Sequence, residues 1–296
     1  MTNANDSQIR FILPKAGVRG VCVRLHDTWR EILSHAQYPD VARELLGQAC
    51  AAAALFTGHA KVNGRLSLQL RSRHALRTLF AECTADATVR GIAQLAEGAD
   101  APRDLRQLGQ DALLAITIEN PGLDPREPQR YQSLVSLRAA TLSEAFEGYF
   151  HQSEQLPTRL LLAADSSQAA GLMLQKLPGD EGDRDGWTRA GALFDTLDPV
   201  ELLAVSSEQL LHRLFHEEDL AILADRPLRF ACSCSRERVY AMLHSLGAAE
   251  AHAALTDGQA EVRCEFCGQR YLFSAADVEK LFASPPVGMQ APERLQ

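Results

Sequence analysis

The sequence predicts an α+β fold in three parts. An N-terminal α/β domain with packed β-sheets and helices covers residues 1–177, a helical linker covers 178–231, and a small cysteine-bearing module covers 232–284. Three observations carry this reading. Up to residue 177, segments with the period of a strand alternate with segments with the period of a helix. Pro178-Gly179-Asp180-Glu181-Gly182-Asp183-Arg184-Asp185-Gly186 is then a turn-rich acidic break. Beyond Ala231, four cysteines fall in two close pairs.

In the first part, Gly64-Arg65-Leu66-Ser67-Leu68-Gln69-Leu70 alternates strictly, as a half-buried strand does. Residues 112–119 and 159–164 read as further strands. Residues 28–35, 41–56 and 142–153 read as helices, the first with Asp27 as its N-cap. Residues 160–164, a Ser166-Ser167 turn and residues 171–177 read as a hairpin. No glycine-rich phosphate loop and no G-x-S-x-G elbow is present, so nothing here suggests an enzyme.

In the second part, Asp198-Pro199-Val200-Glu201 has the start signals of a helix. Ser206 with Gln209 opens another, whose apolar face is Leu210, Leu211, Leu214 and Phe215. Residues 178–231 hold twelve acidic and five basic residues, nearly the whole of the chain's net charge of -8. The segment is also rich in Leu and Phe. Apolar surface favours docking while like charges repel one another on compaction, so the residues allow two readings, a marginally stable linker that depends on its neighbours and a plain helical linker.

In the third part, residues 236–246 form a helix stopped by Gly247, and Asp257-Gly258 turns into a strand over 260–264. Cys267-Gly268 turns back into a strand over 269–273, and Ser274 caps a last helix. After Pro285-Pro286 the apolar content drops, so residues 285–296 read as a disordered tail.

The cysteines divide by setting. Residues 1–8 are polar with no apolar signal region, and the longest apolar run, 49–56, is too short to span a bilayer. The expectation is a cytoplasmic protein without a membrane partner, in a compartment that keeps thiols reduced. Cys22, Cys50 and Cys83 are isolated among apolar neighbours and read as small buried residues. Cys232-Ser233-Cys234 and Cys264-Glu265-Phe266-Cys267-Gly268 are different. Two residues between thiolates let both reach one ion, and Gly268 suits the positive φ of a turn around a metal. Four such thiolates in a module of about fifty residues point to one structural Zn2+ per chain. Below about 70–80 residues a core seldom supplies more than about 3–5 kcal/mol. A structural zinc site contributes about 10–16 kcal/mol in small peptides, so loss of the metal should unfold the module. Arg236, Arg238, Arg263 and Arg270 cluster in sequence around the sulfurs and would favour reactive thiolates. Either pair of cysteines can close into a disulfide.

With these residues on the page, the sequence resembles the redox-regulated heat-shock holdases, bacterial chaperones of about thirty-three kilodaltons. The most specific matches are Cys232-Ser233-Cys234-Ser235-Arg236-Glu237-Arg238 and Cys264-Glu265-Phe266-Cys267-Gly268 with Tyr271-Leu272-Phe273. Ser153-Glu154-Gln155-Leu156-Pro157-Thr158-Arg159, Ala170-Gly171-Leu172-Met173-Leu174-Gln175, His216-Glu217-Glu218 and Arg90-Gly91 add to them. The resemblance implies the first of the two readings of residues 178–231, a metastable helical linker, and a protein that is inactive while reduced and zinc-bound. Peroxide with mild unfolding would form the disulfides Cys232–Cys234 and Cys264–Cys267, release zinc and unfold the module and linker. The exposed apolar surface would then hold unfolding client proteins, without ATP, for downstream foldase chaperones. The active form would be a homodimer.

Two other classes were weighed. A thiol oxidoreductase needs C-x-x-C at a helix start after a strand, whereas here it lies between two strands with a second cysteine pair upstream. A zinc-ribbon nucleic-acid binder needs a positive field, but residues 232–284 carry five basic and seven acidic side chains, so no nucleic-acid partner is expected. His212 and His216 have the spacing of a helical metal pair but lack the zincin glutamate, and read as a solvated helix face.

Overall fold

A computed structural model describes residues 5–122, 124, 127–179 and 183–283. The chain divides into two units, Met1–Ala231 and Cys232–Gln296.

The first unit begins with a hairpin, β1 (Ser7–Leu13) and β2 (Val18–Leu25), in antiparallel register from Ser7 opposite Arg24 to Leu13 opposite Val18. Two helices follow, α1 (Asp27–Ser34) and α2 (Asp40–His59). Five strands come next: β3 (Arg65–Arg71), β4 (Leu76–Thr84), β5 (Thr88–Leu95), β6 (Leu113–Asn120) and β7 (Gln129–Val135), with β6 returning to pair with β3. Helix α3 (Leu142–Tyr149) runs into a π turn at Phe150–Glu154, which Gln155 closes at φ +55°. The expected hairpin then appears as β8 (Thr158–Ala164) and β9 (Ala169–Lys176).

Helix α2 organises the unit. Its run Ala49-Cys50-Ala51-Ala52-Ala53-Ala54-Leu55-Phe56 has no polar stripe to offer water, and a helix apolar all round must be buried. It is packed between two sheets, with strand orders β10-β1-β2-β9-β8 and β11-β5-β4-β3-β6-β7, where β10 is Ala221–Pro227 and β11 is Arg229–Phe230. Ala-rich sequence lets both sheets approach closely. At Gly91 on β5 a Cβ would sit 2.7 Å from the Cys50 sulfur, so the backbone of that strand presses directly on α2.

The connector closes the opposite face of the five-stranded sheet. It contains α4 (Gly186–Phe194), α5 (Pro199–Ala204) and α6 (Ser207–Phe215). Asp198 and Ser206 cap the last two, accepting from the Glu201 and Gln209 amides as their sequence signals require. Leu202, Leu210, Leu211 and Phe215 are fully buried against Ile9, Phe11, Val18, Leu172 and Leu174. Phe11 stacks on Phe215 at 5.9 Å between ring centroids, and its ring lies over Gly20, where a Cβ would come within 2.1 Å. The connector's charge is partly matched: Arg189 bridges Asp183 and the buried Glu218, and Lys15 pairs with Asp219.

Several elements differ from the sequence expectation. Residues 178–231 hold three helices rather than two: α4 starts inside the turn-rich acidic break, at Gly186, and Asp185 before it makes no side-chain cap. The segment also ends in strands, β10 (Ala221–Pro227) antiparallel to β1 and β11 (Arg229–Phe230) parallel to β5. Asp27 is not the cap of α1 but its first residue. The buried Asp6 carboxylate caps it instead, accepting from the amides of His26, Asp27 and Thr28. That partner lies twenty residues upstream, out of reach of any local signal. Part of the acidic break, 180–182, and the tail expected over 285–296 lie outside the described residues.

The second unit is built on α7 (Arg236–Leu246), α8 (Ala248–Ala253), the hairpin β12 (Gln259–Arg263) and β13 (Arg270–Ser274), and α9 (Ala275–Ala283). Gly247 ends α7 at φ +92°, as expected, while α8 has no sequence counterpart above. Ser274 and Asp277 cap α9 reciprocally. Among the described residues its buried core is small: Val239, Leu243, Ala251, Ala260, Phe273 and Val278.

Candidate metal centre

Each of the four cysteines is held by a local device. Cys232 and Cys234 lie on the extended segment before α7, whose Ser235 cap accepts from the Arg238 amide. Cys264 and Cys267 flank the turn between β12 and β13. The Gly268 amide donates to the Cys264 carbonyl at 2.8 Å and the Cys264 amide to Gln269 at 2.9 Å. Gly268 sits at φ +67°, the left-handed conformation its position predicts.

These devices bring all four sulfurs within 4.8 Å of one another. Cys232 and Cys264 are 3.6 Å apart and Cys234 and Cys267 3.3 Å, and all four are free thiols, partly buried. A tetrahedron with metal–sulfur bonds of about 2.3 Å has edges of about 3.8 Å. The four cysteines therefore fit a single metal ion. Burial, and then the crowding sulfurs of Cys234, Cys232 and Cys264, push the Cys267 thiol up, against the pull of the Gln269 amide. A cation among the sulfurs reverses that logic and favours the thiolates. Tyr271 donates its hydroxyl to the Cys234 sulfur at 3.1 Å, which raises its own pKa to about 12. Tyrosine at that position was part of a recognised stretch, but its bond to sulfur carried no sequence signal.

The arginines have other employment than sequence proximity suggests. Arg236 donates to the Leu272 carbonyl, pairs with Asp277 and lies 4.4 Å over the Phe273 ring. Arg238 donates to the Ser233 carbonyl, and Arg270 pairs with Glu261. They brace the segments that carry the cysteines. The other cysteines lie elsewhere and are buried, as expected. Burial pushes Cys22 and Cys83 up to about 11 and Cys50 in the same direction. His212 and His216 are exposed on α6, their rings 5.5 Å apart. Among the described residues, no helix is long and apolar enough to cross a membrane.

An α+β unit with a helix between two sheets, followed by a small four-thiol module, is a fold class with solved examples. The profile of the Hsp33 protein family matches residues 6–274. A 33 kDa chaperonin of Pseudomonas paraeruginosa is 42% identical over 99% of this chain and 98% of its own. One from Azotobacter vinelandii is 43% identical over 98% of each. The crystal structure of a 33 kDa chaperonin (heat shock protein 33 homolog) from Thermotoga maritima matches with a TM-score of 0.75. It covers 94% of this chain and 97% of that one, and at 22% identity the likeness is one of fold. The chain belongs to the Hsp33 family. That is a family of chaperones, not of enzymes.

Proposed function

We propose that this chain is a redox-regulated, ATP-independent holdase whose sensor is the thiol cluster Cys232, Cys234, Cys264 and Cys267. The observation that carries the reading is the convergence of four sulfurs in a unit whose described residues include only a small buried core. Zinc suits four thiolates and, when bound, would supply the charge and the cross-links that such a core lacks.

Oxidation acts on the chain's own sulfurs. A thiolate attacks the peroxide O–O bond and becomes a sulfenic acid, and a neighbouring thiolate then displaces hydroxide to close the disulfide. Each disulfide reduces one peroxide to water. In the folded cluster every sulfur is within reach of the other three. The pairing Cys232–Cys234 and Cys264–Cys267 is the one that the family resemblance implies. Without ligands the module loses its main support. The connector, 178–231, is then the metastable linker whose release bares the sheet face around Phe11, Leu172 and Leu174. That face would hold unfolding proteins in the cytoplasm until foldase systems take them over, with a homodimer as the active form.

The test treats reduced, zinc-loaded protein with peroxide at heat-shock temperature and follows zinc release, loss of four thiols and suppression of client aggregation together. The three should move as one. Zinc release and thiol loss without holdase activity would exclude the chaperone reading of this switch.

A further inference from the structure

We propose that Arg24 is a positioning residue of the switch: from β2 it holds the C-terminal end of α5, and thereby sets how readily the connector leaves the sheet. This rests on the reading of residues 178–231 as the element that is released.

Arg24 interrupts an apolar strand, Val21-Cys22-Val23-Arg24-Leu25, and shares with Cys22 the face that the connector covers. Only 8% of the residue is exposed. Its guanidinium donates through Nη1 to the Leu203 carbonyl at 2.7 Å and to the Gln168 side chain at 2.7 Å. Through Nη2 it donates to the Leu202 carbonyl at 2.7 Å and to the Val205 carbonyl. These three carbonyls are at the end of a six-residue helix that has no basic residue in its own last turn. The cation therefore satisfies orphan acceptors and faces the negative end of the helix.

The arrangement behaves as a latch. A buried guanidinium is tolerable only while its acceptors are in place, and a small displacement of α5 leaves a desolvated charge without partners. Partial undocking is disfavoured, so α5 is either seated or fully withdrawn with Arg24 hydrated. The latch is not over-strong, because Arg24 Nε is buried without an acceptor. Among the described residues, the ion pairs Lys15–Asp219 and Arg159–Asp195, which also tie the connector down, are solvent-exposed and contribute little.

The test compares wild type, Arg24→Ala and Arg24→Lys as full-length, zinc-loaded, reduced proteins. It measures zinc content, the rate of proteolysis within the connector and suppression of aggregation of guanidinium-unfolded citrate synthase. Arg24→Ala is expected to keep its zinc and thiols, to be cleaved in the connector about tenfold faster, and to hold client without oxidation. After full oxidation it should match wild type, which a general folding defect would not do. Arg24→Lys keeps the charge without the fork and should fall between. Connector cleavage at the wild-type rate in both variants would overturn the proposal. If Arg24→Ala fails to fold, the Arg24→Lys cleavage rate decides alone: faster supports the latch, unchanged overturns it. If oxidised wild type holds no client, the chaperone reading falls, while the cleavage rates still decide the latch.

Discussion

At the scale of single residues, the sulfurs and one histidine make separate demands. Cys264→Ser removes one thiolate of four. It is expected to lower zinc stoichiometry below one per chain and to melt the small unit under reducing conditions, measured by metal analysis and by near-UV circular dichroism. Unchanged stoichiometry and melting would remove Cys264 from the site. His59 accepts a hydrogen bond from Arg19 at 3.2 Å, and burial, with Arg19 and Arg10 beside it, lowers its pKa from 6.5 to about 3. The unfolded chain then binds a proton that the folded chain refuses between those values. Stability is full above about pH 6.5 and is lost as pH falls toward 3. His59→Gln retains an acceptor for Arg19 without titrating, so its melting temperature should fall less between pH 7 and pH 4.5 than that of wild type. Equal acid slopes would contradict this. The clustering of the four cysteines was legible because the spacing within each pair is local chemistry. Asp6, Arg24, Glu218 and Tyr271 were not, since each acts on a partner that only the tertiary fold brings near.

At the scale of elements, periodicity and capping explain what could be read. The strand β3, the long helix α2, the β8–β9 hairpin and the caps Asp198, Ser206 and Ser274 announce themselves within a few residues. Helix α4 has no side-chain cap, and β10 and β11 are short edge strands specified by the neighbours they pair with, so these escaped. The acidic and apolar connector was legible as unusual; its seat on the sheet was not. Phe215 is the anchor of that seat. Phe215→Ala removes a fully buried ring stacked on Phe11 and should weaken docking by about 3–5 kcal/mol. Limited proteolysis of the reduced protein should then cut within 207–215 far faster than in wild type. Asp6→Ala strips the cap from three amides of α1 and should lower global stability by about 1–3 kcal/mol without raising connector cleavage. The pair of variants separates local undocking from general destabilisation.

At the scale of the molecule, the two units differ in what holds them. The first has a continuous core around α2 and a second beneath the connector, whereas the described residues of the second unit have a small buried cluster and four thiols. A strong zinc chelator should therefore unfold residues 232–283 while leaving the core around Trp29 and Phe146 intact, with slow amide exchange of α2 as the control. The central claim is that the state of four thiols decides whether the connector covers the sheet. Amide hydrogen exchange of α4, α5 and α6, measured before oxidation, after peroxide at elevated temperature, and after re-reduction with zinc, tests it most directly. The expected result is strong protection of residues 210–215 in the reduced protein, loss of that protection together with the onset of client holding, and its return on re-reduction. Protection that persists while client holding appears would contradict the account.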